Sequence, residues 1–421
     1  MTCMIYIENG LCKVSPYFAT KQIWAKGRWL GRSVKDVLAA EFRNRSMAAH
    51  EDAMSTGHVA LLRRSGLSKR AQRKTGSINS DAPVESTFTI CRIEGSEELA
   101  QAVLKNGDVV EYRAHVHEPP VANSPGLEHW AQTNDPSQWL AEVVVRETEE
   151  CLVVCKPASI PVHPTGRYSR NTLTDLLEQA LGYKVYASHR LDRLTSGLLV
   201  LGKTAPAAAD LSARLREKTV SKEYIALVRG LFPHGSQTVT APIFTTQFSD
   251  GSAKFAAGLR AAATAKSSTS TRDGPKPAST RFDCVWHDEL RNVSLVRCAP
   301  LTGRTHQIRK HLAIVGYPIC DDPVYSHAAF PKLHQAVLEA LESGSALDPA
   351  IDAFEQLERF VGEAMHNKMR AGETCSECGA PMFTDPVPSE LRISLHAVRY
   401  TAVDGSFDYS VPLPTWAHSV Q

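Results

Sequence analysis

One carboxylate stands among basic side chains just ahead of an apolar, β-type run in SHRLDRLTSGLLVLGKT, residues 188–204. Asp192 lies between Arg190 and Arg193, and nearby positive charge favours the ionised form of a carboxylate. An aspartate held ionised is a candidate nucleophile or metal ligand. The same letters also describe a solvated turn with an ordinary ion pair. Positive charge gathers again in RRSGLSKRAQRK, residues 63–74, and in GRTHQIRKH, residues 303–311. Such clusters suit RNA phosphates, and they equally suit a solvated face or, for residues 63–74, a flexible loop or an import signal. Cys375-x-x-Cys378 is half of a structural zinc site, which takes four ligands. His366, a distant cysteine or His396 are available to complete it, and an exposed thiol pair is the other reading. With His287-Asp-Glu289 the pair echoes the zinc deaminases, whose signature is H-x-E and P-C-x-x-C. That echo fails because Thr374, not proline, precedes Cys375, and because His287 falls in an apparent hairpin turn.

The chain that must position these groups has 421 residues, 43% hydrophobic and 22% charged, enough for two or three folded domains and against wholesale disorder. No apolar run approaches the roughly 20 residues of a membrane helix. The N-terminus has no basic segment before a long apolar one, so a secretory signal is not expected. Ten cysteines spread through this length read as mostly reduced thiols of an intracellular protein, with cytoplasm, nucleus and mitochondrion all open. A net charge of +2 leaves the partner to be decided by where the charges cluster.

GRSVKDVLAAEF carries Val34, Val37, Leu38 and Phe42 on a helical stripe with Ser33 placed to cap it. VLKNGDVVEYRAHV has a turn at Asn106-Gly107-Asp108 and then a β-rich run, so residues 30–115 predict a small α+β module. HEPPV, residues 117–121, and the loop-forming residues after it predict a linker. From residue 142 the pattern becomes β runs with short connections, including a hairpin over TRFDCVWHDELRNVSLVRCAP. Helical patterns cover residues 172–180 and 207–218. Residues 262–279, rich in Ser, Thr and Pro, predict a mobile loop. The helical LHQAVLEALES and AFEQLERFVGEAMHNKM, with the CxxC, predict an insertion over 328–388.

HRLDRLTSGLLVLGKT, SKEYIALVRG, APLTGRTHQIRKHLAIVGYPICDDPVY and SLHAVRY followed by PLP, in that order, resemble the motifs of the RluA-type pseudouridine synthases. The resemblance spans about residues 143–325 and 390–416. GRSVKDVLAAEF, GHV, LKNGD and HEPPV further resemble the eukaryotic branch, with a degenerate S4-like RNA-binding module. The resemblance implies an α+β fold with a mixed, mainly antiparallel sheet. It implies an N-terminal region over 1–120, a catalytic domain over 140–327 and 389–417, and the insertion between. It implies an isomerase that detaches uracil from ribose, turns it and rejoins it through carbon 5, with RNA as partner, no cofactor and no membrane. Asp192 becomes the nucleophile, Arg309 its salt-bridge partner after Ile308, and Tyr224 the residue stacking on the base. Arg190 fills the space left by the flipped nucleotide or binds phosphate. His189, Thr195, Ser196 and Gly197 shape the turn presenting Asp192. Arg304, Thr305, His306, Gln307 and Ile308 form site wall or contact RNA. The resemblance to the eukaryotic branch with HEPPV implies a tRNA anticodon-loop uridine as the target, and an unpaired base is also the cheapest to flip. A non-catalytic RNA-binding or RNA-folding protein on the same scaffold is the alternative.

Overall fold

Short apolar runs punctuated by Gly, Asn and Pro form strands, and amphipathic stretches capped by Ser or Thr form the helices that cover them. The computed structural model describes residues 5–42, 47–65, 89–244, 275–344, 348–364 and 369–418. It divides into two units, Pro16–His117 and a larger one of Met1–Ser15 with Glu118–Gln421. The larger unit begins with β1 (Ile5–Glu8) and β2 (Leu11–Val14).

The smaller unit contains β3 (Tyr17–Trp24), α1 (Val34–Glu41), α2 (Met47–Ser55), β4 (Val59–Ser65), β5 (Thr89–Ile93), α3 (Ser96–Gln101) and β6 (Val109–Val116). Its antiparallel sheet has the order β3-β6-β4-β5. The Ser33 side chain accepts a hydrogen bond from the Asp36 N–H, the cap its spacing predicts. Val34, Val37 and Leu38 are buried with Trp29, Leu61 and Leu99. Arg63, first of the basic run, is held by both carboxylate oxygens of buried Asp108, at 3.0 and 2.7 Å. The run from residue 66 onward lies outside the described residues, as does the predicted mobile loop up to residue 274.

In the larger unit β7 (Val121–Ala122) pairs with β2, completing a three-stranded sheet with β1. The HEPPV segment, expected as a linker, contains the boundary between the two units at His117 and Glu118, and its Val121 enters β7. Glu118 also accepts backbone N–H bonds from Ser169, Arg170 and Asn171 at 2.7–2.9 Å. The chain continues through α4 (Pro125–Thr133), α5 (Ser137–Val143), β8 (Val144–Glu147), β9 (Cys151–Lys156), α6 (Leu173–Leu181), β10 (Tyr186–Ala187), β11 (Ser196–Gly202) and α7 (Ala205–Arg216). Then come β12 (Val220–Arg229), β13 (Ser236–Thr240), β14 (Ser279–Asp288), β15 (Val293–Pro300) and α8 (Gln307–Ile314). After α9 (Ala329–Ser343), α10 (Asp348–Ala364), β16 (Met369–Thr374) and β17 (Pro381–Phe383), the sheet resumes with β18 (Leu395–Ala402) and β19 (Asp408–Ser410).

The central sheet has the order β13-β14-β15-β12-β18-β11-β9-β8, with β10 beside β11 and β19 beside β18. Every pairing is antiparallel except β11 with β18, so the sheet is mixed and mainly antiparallel, as expected. Leu198, Leu199, Val200 and Leu201 are all buried, which is why β11 reads as a continuous apolar run rather than an alternation. In α9 and α10, Phe330, Leu333 and Val337 pack with Phe354, Leu357 and Val361 beside Tyr325. The Cys375-x-x-Cys378 pair lies in the turn between β16 and β17. The nine cysteines among the described residues form no disulfide.

Candidate active site

The loop from β10 to β11 presents Asp192, and its geometry follows from how β11 starts. Thr195 donates its backbone N–H to the Asp192 carbonyl at 3.1 Å, closing a tight turn. Gly197 follows with φ +109°, and a Cβ there would lie 2.2 Å from the Ala397 carbonyl oxygen of β18. Only glycine allows this parallel approach without strain. Ser196 is tied across the same join by a 2.8 Å bond to His396 Nδ1.

Beneath the loop lies Lys156, fully buried at the end of β9. Its Nζ reaches the carbonyl oxygens of Pro157 at 2.7 Å, Ile160 at 2.9 Å and Arg193 at 3.2 Å. It thus binds the segment after β9 to the Asp192 loop. Burial pulls its pKa down to about 7, against the attraction of Asp192.

Asp192 opens on a cavity of about 310 Å³ whose walls include Arg190, Thr195, Tyr224, His306, Ile308 and Arg309. Arg309 Nη1 stands 3.3 Å from Asp192 Oδ2, the pairing expected from the motif. That contact is the weaker half of the arrangement. Arg309 is gripped bidentately by Asp322, Nε to Oδ2 at 2.7 Å and Nη2 to Oδ1 at 2.9 Å. Asp322 Oδ1 accepts the backbone N–H groups of Val324 and Tyr325 as well. With side chains 4% and 0% exposed, Arg309 and Asp322 form a buried fork that leaves one guanidinium edge for Asp192. The Arg309 guanidinium also lies over the Tyr325 ring, 4.9 Å from its centroid. Asp322 was absent from the expected site. It occurs in CDDPVY as one of two adjacent aspartates, with nothing local to say which turns inward.

Burial opposes ionisation of Asp192, and His306, Arg309 and Arg190 together outweigh it, holding the carboxyl below its ordinary value. His306 Nε2 is 3.6 Å from Asp192 Oδ1, while its Nδ1 meets Tyr325 Oη at 2.8 Å. Burial and then Arg309 push His306 down to about 4. Above that pH the imidazole is neutral, and Arg309 and Arg190 supply the charge that keeps Asp192 ionised.

Tyr224 is on β12 beside a register shift between Glu223 and Tyr224. The bulge aims its ring at the cavity. Its hydroxyl meets Tyr400 Oη at 3.1 Å, and burial pushes its pKa up to about 12, so the phenol stays protonated. Arg190 is exposed at the cavity rim, as are Arg304 and Thr305. Gln307, expected as site wall or RNA contact, stands in the cavity wall, buried and with its amide committed to the protein. Oε1 accepts from Thr302 Oγ1 and the Arg304 N–H, and Nε2 donates to the Ser279 carbonyl and Thr280 Oγ1. Gln307 fastens the loop before α8 to β14, and Ile308 is buried in the wall. His287 lies on β14 rather than in a hairpin turn, and clusters with Cys284 and His234, not with Cys375 and Cys378. The deaminase echo has no counterpart in the fold. His366 lies outside the described residues.

The mixed sheet thus brings together at one cavity a half-buried carboxylate, an arginine locked from behind and a protonated tyrosine. Residues 150–314 match the family described as RNA pseudouridylate synthase. The tRNA pseudouridine(31) synthase of Saccharomyces cerevisiae is 33% identical over 98% of this chain and 97% of its own. The mitochondrial tRNA pseudouridine(32) synthase of the same yeast is 32% identical over 98% of this chain and 78% of its own. The human pseudouridylate synthase RPUSD2 is 29% identical over 98% and 74%. The chain belongs to the RNA pseudouridylate synthase family and is an isomerase. Among the described residues, no helix is long and apolar enough to cross a membrane.

Proposed function

We propose that this enzyme isomerises a uridine in the anticodon arm of tRNA, inside the cell, with Asp192 as its nucleophile and without a cofactor. The observation that carries the assignment is the Asp192 carboxylate, half-buried in the cavity wall and held ionised by Arg309, which Asp322 locks from behind. A carboxylate is a weak nucleophile in water; removal from solvent and fixed placement raise its effectiveness. The reaction breaks the bond from N1 to the ribose carbon, joins that carbon to C5, and releases the C5 proton to solvent while N1 takes up a proton, so that the product is an isomer of the substrate. Nothing is oxidised or reduced, so no co-reactant is required.

The target base has to leave its stack, at a cost of a few kcal/mol that is least for an unpaired nucleotide. Arg190 at the rim occupies the vacated position or holds a neighbouring phosphate. Tyr224 stacks on the uracil as a neutral phenol. Abstraction of the C5 proton by this residue would need the phenolate, which burial disfavours. Thr195 is in the cavity wall, and its Oγ1 is buried and has no hydrogen-bond partner among the described residues. The choice of tRNA rests on the two yeast relatives, whose names give positions 31 and 32 of tRNA. Residues 16–117 serve as the S4-like RNA-binding module, and 328–388 as an insertion in the catalytic domain.

The test is release of tritium to water from tRNA carrying tritium at uracil C5. Release by wild type and none by Asp192→Ala, with tRNA binding retained, is expected. Equal release from both would remove Asp192 from the mechanism. Release from ribosomal RNA but not tRNA would move the substrate.

A further inference from the structure

On the sheet edge, β13 pairs with β14 only over Ser279–Asp283, leaving the rest of β14 uncovered. Cys284 and His287 lie in that uncovered part. Three residues apart in a regular strand, they would face opposite sides of the sheet. The register shift between Cys284 and Trp286 inserts one extra residue, Val285, and brings the two side chains to the same face. Cys284 Sγ is then 3.5 Å from His287 Nε2. His234, two residues before β13, brings its ring to 4.6 Å from that of His287, and one ligand atom from each of the three residues lies within 4.8 Å of the others.

The protonation of His287 follows from its other neighbour. Ser294 Oγ donates its single proton to the Gly230 carbonyl at 2.7 Å and accepts from the Phe232 N–H at 2.8 Å. Towards His287 Nδ1, 2.9 Å away, it has only a lone pair to offer, so Nδ1 carries the hydrogen. The Nε2 lone pair therefore points into the cluster. A histidine whose second nitrogen is fixed by a hydrogen bond is the form that ligates metal. Ser294 anchors at once the ring of His287 and the Gly230–Phe232 backbone leading to His234.

We propose that His234, Cys284 and His287 form a zinc site with one position open to water. Two imidazoles and a thiolate are a borderline-soft set that suits Zn²⁺. Usual Zn–S and Zn–N lengths in a tetrahedron put sulfur and nitrogen about 3.5 Å apart, the separation found here. Binding displaces the Cys284 proton to solvent and forms the Zn–S bond in its place. The ion joins the loop before β13 to the exposed end of β14. No residue of the Asp192 cavity takes part.

The test titrates chelator-stripped full-length protein with Zn²⁺ alone, against a chromophoric chelator, in a background of Cys375→Ser and Cys378→Ser. One ion per chain is expected, bound roughly tenfold or more weakly after His234→Ala or Cys284→Ala. His234 is exposed, so His234→Ala reads the ligand without disturbing the core. Co²⁺ in place of Zn²⁺ is expected to show, in the same background, a thiolate-to-metal absorption band that Cys284→Ala abolishes. No bound ion, affinity unchanged in both variants, or a Co²⁺ spectrum indifferent to Cys284→Ala overturns the site.

Discussion

Asp192 depends on a residue it does not touch. Asp322 holds Arg309, and removing one partner of a buried pair leaves an uncompensated charge, at roughly 3–5 kcal/mol. Asp322→Ala is expected to lower the melting temperature and to slow single-turnover isomerisation on the order of 100-fold as Arg309 loses its placement, with tRNA affinity little changed. An unaltered rate would show that Arg309 needs no lock. The pH dependence has a defined sign. Asp322 and Asp192 have folded pKa values below the unfolded ones, so their contribution to stability is full above about pH 4 and is lost as pH falls through the lowered values. His306, at about 4, changes charge in the same acid range. Single-turnover rates between pH 5 and 8 are therefore expected to show no step from His306, and a step near 6.5 that His306→Gln removes would contradict its burial. Tyr224→Phe removes only the bond to Tyr400 and is expected to cost about 1 kcal/mol in urea unfolding while retaining most of the rate. A collapse in rate would instead give the hydroxyl a proton to move.

At the level of elements, the site is the place where β11 meets β18 in parallel. Gly197→Ala places a methyl 2.2 Å from a backbone oxygen and forces a positive φ on alanine. The expected loss exceeds about 1 kcal/mol, read by thermal unfolding, with a fall in activity as the Asp192 turn shifts. Wild-type stability in that variant would mean that β18 yields without cost. Bulges do similar work twice, aiming Tyr224 from β12 and bringing Cys284 and His287 together on β14.

For the whole molecule, RNA affinity is a sum of phosphate contacts, each releasing counterions. Arg190 and Arg304, both exposed at the rim, are expected to contribute one each. Alanine at either position is then expected to weaken tRNA binding and reduce the slope of log affinity against log salt by about 0.7–0.9. A weaker affinity with an unchanged slope would argue for stacking on a base instead. That measurement also separates binding from the chemistry at Asp192.

The order of motifs around Asp192, Tyr224 and Arg309 was legible in the sequence because each motif there is a contiguous string with its own spacing. The same holds for the cap at Ser33 and for the buried apolar run of β11, which depend on neighbours along the chain. Other features were set by tertiary structure alone. Asp322 faces Arg309 because the chain returns after α8, Lys156 reaches the Asp192 loop because β9 pairs with β11, and HEPPV is bound because β7 finds β2. Which of site wall and RNA contact Gln307 serves depended on partners on β14, which hold its amide in the wall. His287 joined Cys284 and His234 because a bulge altered the side-chain alternation of a strand. Sequence spacing records which groups are near along the chain, while a buried charge is satisfied, and a bulge is placed, only by partners that folding brings from far away.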